Sequence, residues 1–224
     1  MIKAVIFDFD GVIADTEHVH YEAFKKVLNL NNYDLTENEY YSNYLAYDDK
    51  TFFAKYYEHK NLDLDKEFLN RLLINKSEAF DTLISNNIKI YPGVIDFIKH
   101  ISNKYRIAIG SGALKKEIIQ ILETVHIAGL FEIIIAADDV TICKPNPEVY
   151  NKVLDKLNNN QDSKIRAYEC IVVEDSVFGI EAAKNAGMKC VAITNSYPKE
   201  KLKDADLIID SLSIDDIEVF LNNY

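Results

Sequence analysis

The chain has 224 residues, three cysteines, four prolines, no tryptophan and a formal net charge of −11 at pH 7. With 48% hydrophobic and 27% charged residues it reads as one globular unit, or a core with an insert, which excludes disordered, collagen-like and disulfide-scaffold chains. The acidic excess argues against a nucleic-acid groove or an anionic membrane surface as the main partner.

Apolar runs such as Ile133-Ile134-Ile135-Ala136-Ala137 are far too short to span a bilayer. At the start of the chain, Asp8 arrives before a secretory leader's apolar segment could form. Cys143, Cys170 and Cys190 make no CxxC pair, so reduced thiols in a cytoplasmic protein are expected.

In chain order, residues 3–9 are a short apolar run of β-formers ending at Asp10-Gly11, which predicts a buried strand and a turn. Residues 16–87 change character. Val19, Ala23, Val27 and Leu30 share one helical face, Thr36 to Glu39 is a capping box, and Phe68 to Ile84 carries a long amphipathic pattern. The run Tyr40-Tyr41, Tyr44, Tyr47, Phe52-Phe53, Tyr56-Tyr57 suits the core of a helix bundle, with one or two rings left for a ligand. This segment is expected to be an all-helical insert between residues 1–15 and 88–224.

Beyond it, helices are predicted over 94–102, 115–124, from Pro147 to about Leu157 behind an Asn146 cap, and from about Ser176 to Ala186, closed by Gly187. Strands are predicted over 106–110, 132–137, 170–174, 190–194 and 207–209. Strand and helix alternate, so the fold class is α/β: a Rossmann-like doubly wound parallel sheet carrying an inserted helical domain.

Ligands of such sheets sit beyond the carboxyl ends of the strands. The first strand is followed by Asp8, Asp10, Asp15 and Thr16; the second by Ser111-Gly112-Ala113; the third by Cys143-Lys144-Pro145-Asn146-Pro147; the fourth by Glu174-Asp175-Ser176. Carboxylates, one lysine and a hydroxyl beside glycines would hold a divalent cation and a phosphate together. Mg²⁺ takes oxygen ligands, and Asp8 and Asp175 supply a pair if the first and fourth strands are neighbours. Lys144 and Ser111, with backbone N–H groups at Gly112 and Ala113, would bind phosphate oxygens, and Asp10 is placed for acid–base work. Ser176 reads as a helix cap.

Phe7-Asp8-Phe9-Asp10-Gly11-Val12-Ile13-Ala14-Asp15-Thr16, Ser111, Lys144-Pro145-Asn146-Pro147 and Val173-Glu174-Asp175-Ser176 resemble the four signature motifs of the haloacid dehalogenase-like hydrolase superfamily. The stretch from Gly179 to Met188 extends the fourth motif. The resemblance covers nearly the whole chain and points to the subgroup with a helical cap after the first motif, such as β-phosphoglucomutase and phosphoglycolate phosphatase-like enzymes. It implies Asp8 as nucleophile forming an aspartyl-phosphate, Asp10 as general acid/base, and Ser111 and Lys144 as phosphate ligands. Mg²⁺ would be held by Asp8, the Asp10 carbonyl and Asp175, with Glu174 close by or ligating. Dehalogenases and phosphonatases resembling this family lack an acid at the position of Asp10, so its presence favours phosphate esters.

In such enzymes the cap selects the leaving group. His20 matches a histidine of β-phosphoglucomutase-like caps. Lys76 reads either as an amphipathic-edge lysine or as a basic position aimed at the substrate. Where those caps carry a glycine loop and an arginine for a distal phosphate, this chain has Leu45-Ala46-Tyr47-Asp48-Asp49-Lys50. Lys50 stands in for the arginine there, weakened by two acids. The expected function is therefore a Mg²⁺-dependent phosphatase for a small phosphorylated metabolite. A phosphomutase is the alternative, and a non-catalytic binding protein on the same fold the remote one.

Overall fold

The computed structural model describes residues 1–45, 47–84, 89–159, 161–214 and 220–221. Ala46 of the substituted loop and the expected domain boundary at residues 87–88 lie outside them. In chain order the elements are β1 (Ala4–Phe7), α1 (Glu17–Leu30), α2 (Glu37–Asn43), α3 (Asp49–His59), α4 (Lys66–Ile84), α5 (Val94–Ser102), β2 (Arg106–Gly110), α6 (Lys115–Thr124), β3 (Ile133–Ile135), α7 (Glu148–Leu157), β4 (Cys170–Glu174), α8 (Val177–Asn185), β5 (Lys189–Ile193) and β6 (Leu207–Ile209). The chain divides into two compact units, Met1–Asp15 with Ile90–Tyr224, and Thr16–Lys89. Among the described residues no helix is long and apolar enough to cross a membrane.

The first unit is a six-stranded parallel sheet in the order β3-β2-β1-β4-β5-β6. Strands in its middle are buried on both faces, as all-parallel sheets require, so β1 and β4 are unbroken runs of buried residues. Side chains alternate between the faces. Ala4, Ile6, Ala108 and Val172 pack with Val149, Val153 and Leu157 of α7 and Ile180 and Ala183 of α8. On the other face Phe7 meets Phe97 of α5 and Phe131 edge-on, each at 6.1 Å between ring centroids.

Local chemistry sets the element ends. Strand β3 is shorter than its apolar run because Ala136 turns away from the sheet, its N–H donating to the Asp139 carboxylate at 3.0 Å. Helix α7 starts at Glu148, whose N–H donates to Asn146 Oδ1 at 3.0 Å. Gly187, at φ +73°, ends α8 in the left-handed conformation that glycine adopts without a Cβ penalty.

The second unit contains α1 to α4 and is held by aromatic packing. Phe24 of α1 stacks on Phe52 of α3 at 3.7 Å, and Tyr44 meets Phe52 edge-on at 5.2 Å. Tyr40, Tyr44, Phe52, Phe53, Tyr56 and Tyr57 are all buried, whereas Tyr41 is exposed and Tyr47 half-buried. Thr36 accepts the Glu39 N–H at 3.2 Å and so caps α2.

Phe52 is fully buried between rings, so Phe52→Ala is expected to destabilise the helical unit by about 3–5 kcal/mol. The shift of its urea unfolding transition by circular dichroism checks this.

Candidate active site

Sheet order reverses at β1, which has β2 on one side and β4 on the other. Ligands gather at such a switch point. Phe7 is in register with Ile109 of β2 and with Val173 of β4, so Asp8, Gly110 and Glu174 leave the sheet side by side, with Ser111 and Asp175 one residue beyond. The Asp8 N–H still bonds the Val173 carbonyl at 2.9 Å. Carboxylate oxygens of Asp8, Glu174 and Asp175 lie within 4.8 Å of one another, and all three residues are buried.

One lysine enters this cluster. Lys144, from the loop between β3 and α7, donates to Asp8 Oδ2 at 2.9 Å and to Glu174 Oε1 at 2.7 Å. Burial alone would lower the lysine, yet its two carboxylate partners raise it above the usual value, so it stays charged. Burial, then Glu174, pushes Asp8 from the ordinary 3.8 up to about 7, with Lys144 opposing. Asp175 is raised well above the ordinary value by burial, then by Glu174 and Asp8. Burial would raise Glu174 as well, but Lys144, with Tyr150 assisting, holds it below the usual carboxylate range. Three buried acids against one lysine are under-neutralised. Their hard oxygen donors fit a small divalent cation, which would supply the missing charge.

Close approach shapes this corner. Gly11 sits at φ +74°, and a Cβ there would land 1.7 Å from Asp175 Oδ2, so glycine alone permits both the turn and the contact. The turn closes on itself through Gly11 N–H to the Ala14 carbonyl at 2.9 Å and Ile13 N–H to the Phe9 carbonyl at 2.8 Å. It carries the half-buried Asp10. Gly179, in α8, lies so close to Glu174 that a Cβ would fall 1.7 Å from Oε1. Ser176 caps α8 by accepting the Gly179 N–H at 3.0 Å, and its hydroxyl also donates to Glu174 Oε2 at 3.0 Å.

Ser111 is buried at the end of β2, its N–H bonded to the Ile135 carbonyl at 3.0 Å. The Ala113 N–H donates to Ser111 Oγ at 3.2 Å, while Gly112 is exposed with open space around it. Lys144 therefore joins Asp8 and Glu174 directly, Asp175 lies beside them, and Asp10 and Ser111 stand at the same strand ends.

The helical unit holds its own buried charge. Lys76 is fully buried in α4 rather than an amphipathic-edge lysine, bonding His20 Nδ1 at 2.9 Å and Asp49 Oδ1 at 2.9 Å. Its ammonium lies 4.7 Å from the Phe80 ring centroid and 5.3 Å from that of Phe24. An ammonium only donates, so Nδ1 of His20 accepts. Lys50 is exposed, and Asp48 caps α3 by accepting the Lys50 and Thr51 N–H groups at 3.1 Å.

Three contributors escaped the sequence reading. Tyr150 donates to Glu174 Oε1 at 2.8 Å. Ser196 donates a short hydrogen bond to Asp175 Oδ2, and the Asn195 amide bonds the Gly11 carbonyl at 2.7 Å. Asn195 and Ser196 follow the fifth strand, the next strand end beyond those surveyed, so extending the survey by one strand finds them. Tyr150 sits on the apolar face of a helix and carries no such signal.

A family model described as haloacid dehalogenase-like hydrolase matches residues 5–193. The phosphorylated carbohydrates phosphatase of Thermotoga maritima is 29% identical over 84% of this chain and 83% of its own length. The fructose-1-phosphate phosphatase of Escherichia coli is 28% identical over 84% and 95%. Among solved structures, β-phosphoglucomutase of Clostridium difficile superposes with a TM-score of 0.86 at 29% identity, covering 100% of this chain and 99% of its own.

Raised carboxyls such as Asp8 bind protons in the folded chain that the unfolded chain has already released, so they destabilise the fold as pH rises. Without a metal, stability is expected to fall as pH rises from about 4 through about 7, the window set by Asp8. Glu174, which is lowered, works in the opposite sense. Adding Mg²⁺ at pH 8 is expected to recover the loss. Melting temperatures with and without the cation, from pH 4 to 8, check both parts.

Proposed function

Because this chain belongs to the haloacid dehalogenase-like hydrolase family, we propose that it is a Mg²⁺-dependent phosphatase acting on a small phosphorylated metabolite, a sugar phosphate or similar ester. The observation that carries this reading is Asp8, a buried carboxylate joined to Lys144 at 2.9 Å inside an otherwise acidic cluster. An anionic phosphate enters such a site only where positive charge meets it, and the nucleophile there already touches that charge.

Asp8 attacks phosphorus, the P–O bond to the leaving group breaks, and Asp10 gives that oxygen its proton. Asp10 then takes a proton from water, which attacks the aspartyl-phosphate and releases inorganic phosphate with Asp8 restored. Lys144, Ser111 and the backbone at Gly112 and Ala113 hold the phosphate oxygens that do not react. Asp8, Asp175 and the Asp10 carbonyl would hold Mg²⁺, with Glu174 close by, and the ion would supply charge neutralisation and orientation of the phosphate when bound. The relatives named for phosphorylated carbohydrates and fructose 1-phosphate support a sugar phosphate.

A phosphomutase needs a second grip on a distal phosphate. Lys76 is already bonded to Asp49, and exposed Lys50 stands beside two acids, which favours hydrolysis.

Phosphate release is expected from at least one member of a panel of sugar phosphates, phosphoglycolate and nucleotides, abolished by EDTA and restored by Mg²⁺. Asp8→Asn is expected to reduce it to background. Turnover surviving that change overturns the mechanism. Bisphosphate-stimulated isomerisation of a hexose 1-phosphate without phosphate release would replace the phosphatase with the mutase.

A further inference from the structure

Glu174 has no hydrogen-bonding capacity to spare. Its Oε1 accepts from Lys144 Nζ at 2.7 Å and from the Tyr150 hydroxyl at 2.8 Å. Its Oε2 accepts from the Asp175 N–H at 3.0 Å, the Ser176 N–H at 3.1 Å and the Ser176 hydroxyl at 3.0 Å. A carboxylate offers about four lone-pair directions, so these five donors occupy it. The side chain is fully buried, with Gly179 pressed against it. Among the described residues Asp8 accepts only the Phe9 N–H on Oδ1 at 2.8 Å and Lys144 on Oδ2 at 2.9 Å, and Asp175 accepts Ser196 on Oδ2, so both carry a lighter load. Within the acidic cluster, Glu174 is thus built to hold Lys144 rather than to ligate a cation.

Tyr150 completes that arrangement. It is fully buried, its ring lies against Gly110, where a Cβ would come within 3.0 Å of two ring carbons, and the Lys144 ammonium lies 5.1 Å from the ring centroid. Ring and hydroxyl therefore touch both members of the Lys144–Glu174 pair. We propose that Tyr150 is a positioning residue for phosphate recognition: its hydroxyl turns Glu174 Oε1 towards Lys144 and so fixes the ammonium beside Asp8. This rests on the phosphatase reading.

Tyr150→Phe removes the hydroxyl and keeps the ring. Calorimetric titration of inorganic phosphate into the Mg²⁺-loaded protein is expected to show affinity about tenfold weaker in the variant, within the range for losing one hydrogen bond to a charged group. Mg²⁺ affinity, titrated into the metal-free protein, is expected to stay within about threefold, because the hydroxyl acts on the lysine side of the site. In a Lys144→Ala background the same substitution is expected to change phosphate affinity by less than about twofold, since groups acting through one partner are not additive.

An equal fall in Mg²⁺ affinity, an unchanged phosphate affinity, or a full tenfold effect without Lys144 would each overturn the proposal. If Tyr150→Phe fails to fold, the hydroxyl holds the fold rather than the lysine, and the proposal falls. Wild-type protein that binds no phosphate overturns the phosphatase reading itself, and this proposal with it.

Discussion

Lys144 is shared between Asp8 and Glu174 at 2.9 and 2.7 Å, and the rest of the site is arranged around that sharing. Burying carboxylates is costly unless they are paired and hydrogen-bonded. Here three stand together with one lysine, and the shortage of positive charge falls unequally. Glu174 receives five donors and stays ionised, while Asp8 and Asp175 are left with carboxyls pushed upwards. The inequality sets Glu174, the most heavily hydrogen-bonded of the three, apart from Asp8 and Asp175.

The fold produces this by geometry of a general kind. A parallel sheet whose strand order reverses at β1 brings the ends of its first and fourth strands together, and the loops beyond them have no sheet partner to satisfy. Their backbone groups turn inwards instead. The 8–15 turn closes on itself, the start of α8 offers its amides to Glu174, and the loop after β5 ties down the Gly11 carbonyl and Asp175. Gly11 and Gly179 leave no room for a Cβ, so the two closest-packed glycines of the chain serve the acidic cluster. The helical unit repeats the theme with one buried ammonium, Lys76, held by His20, Asp49 and two aromatic rings. There the acid that stands in the substituted loop neutralises a lysine, which accounts for its presence without assigning it to a ligand.

Much of the architecture is legible in the chain. Strands at 106–110 and 170–174 coincide with their apolar runs because a strand buried on both faces needs an unbroken run of such residues. Edges are less legible. Strand β3 pairs on one side only and gives up Ala136 and Ala137 to a turn stabilised by Asp139. Lys76 shows the limit of periodicity: a lysine at the margin of an apolar stripe reads as an edge residue, and only its partners 56 and 27 positions away bury it.

What the sequence determined by itself is chemical identity in order: acids after the first and fourth strands, a hydroxyl after the second, a lysine after the third. Those are local properties, since each residue type is set by the turn or strand end it occupies. The tertiary structure decided how the charges were divided. The donors that favour Glu174 come from Tyr150 and Ser176, and Asp175 takes its own from Ser196, residues of ordinary type in ordinary positions. Hydrogen bonds act over about 3 Å, and only the folded sheet brings those groups within that range.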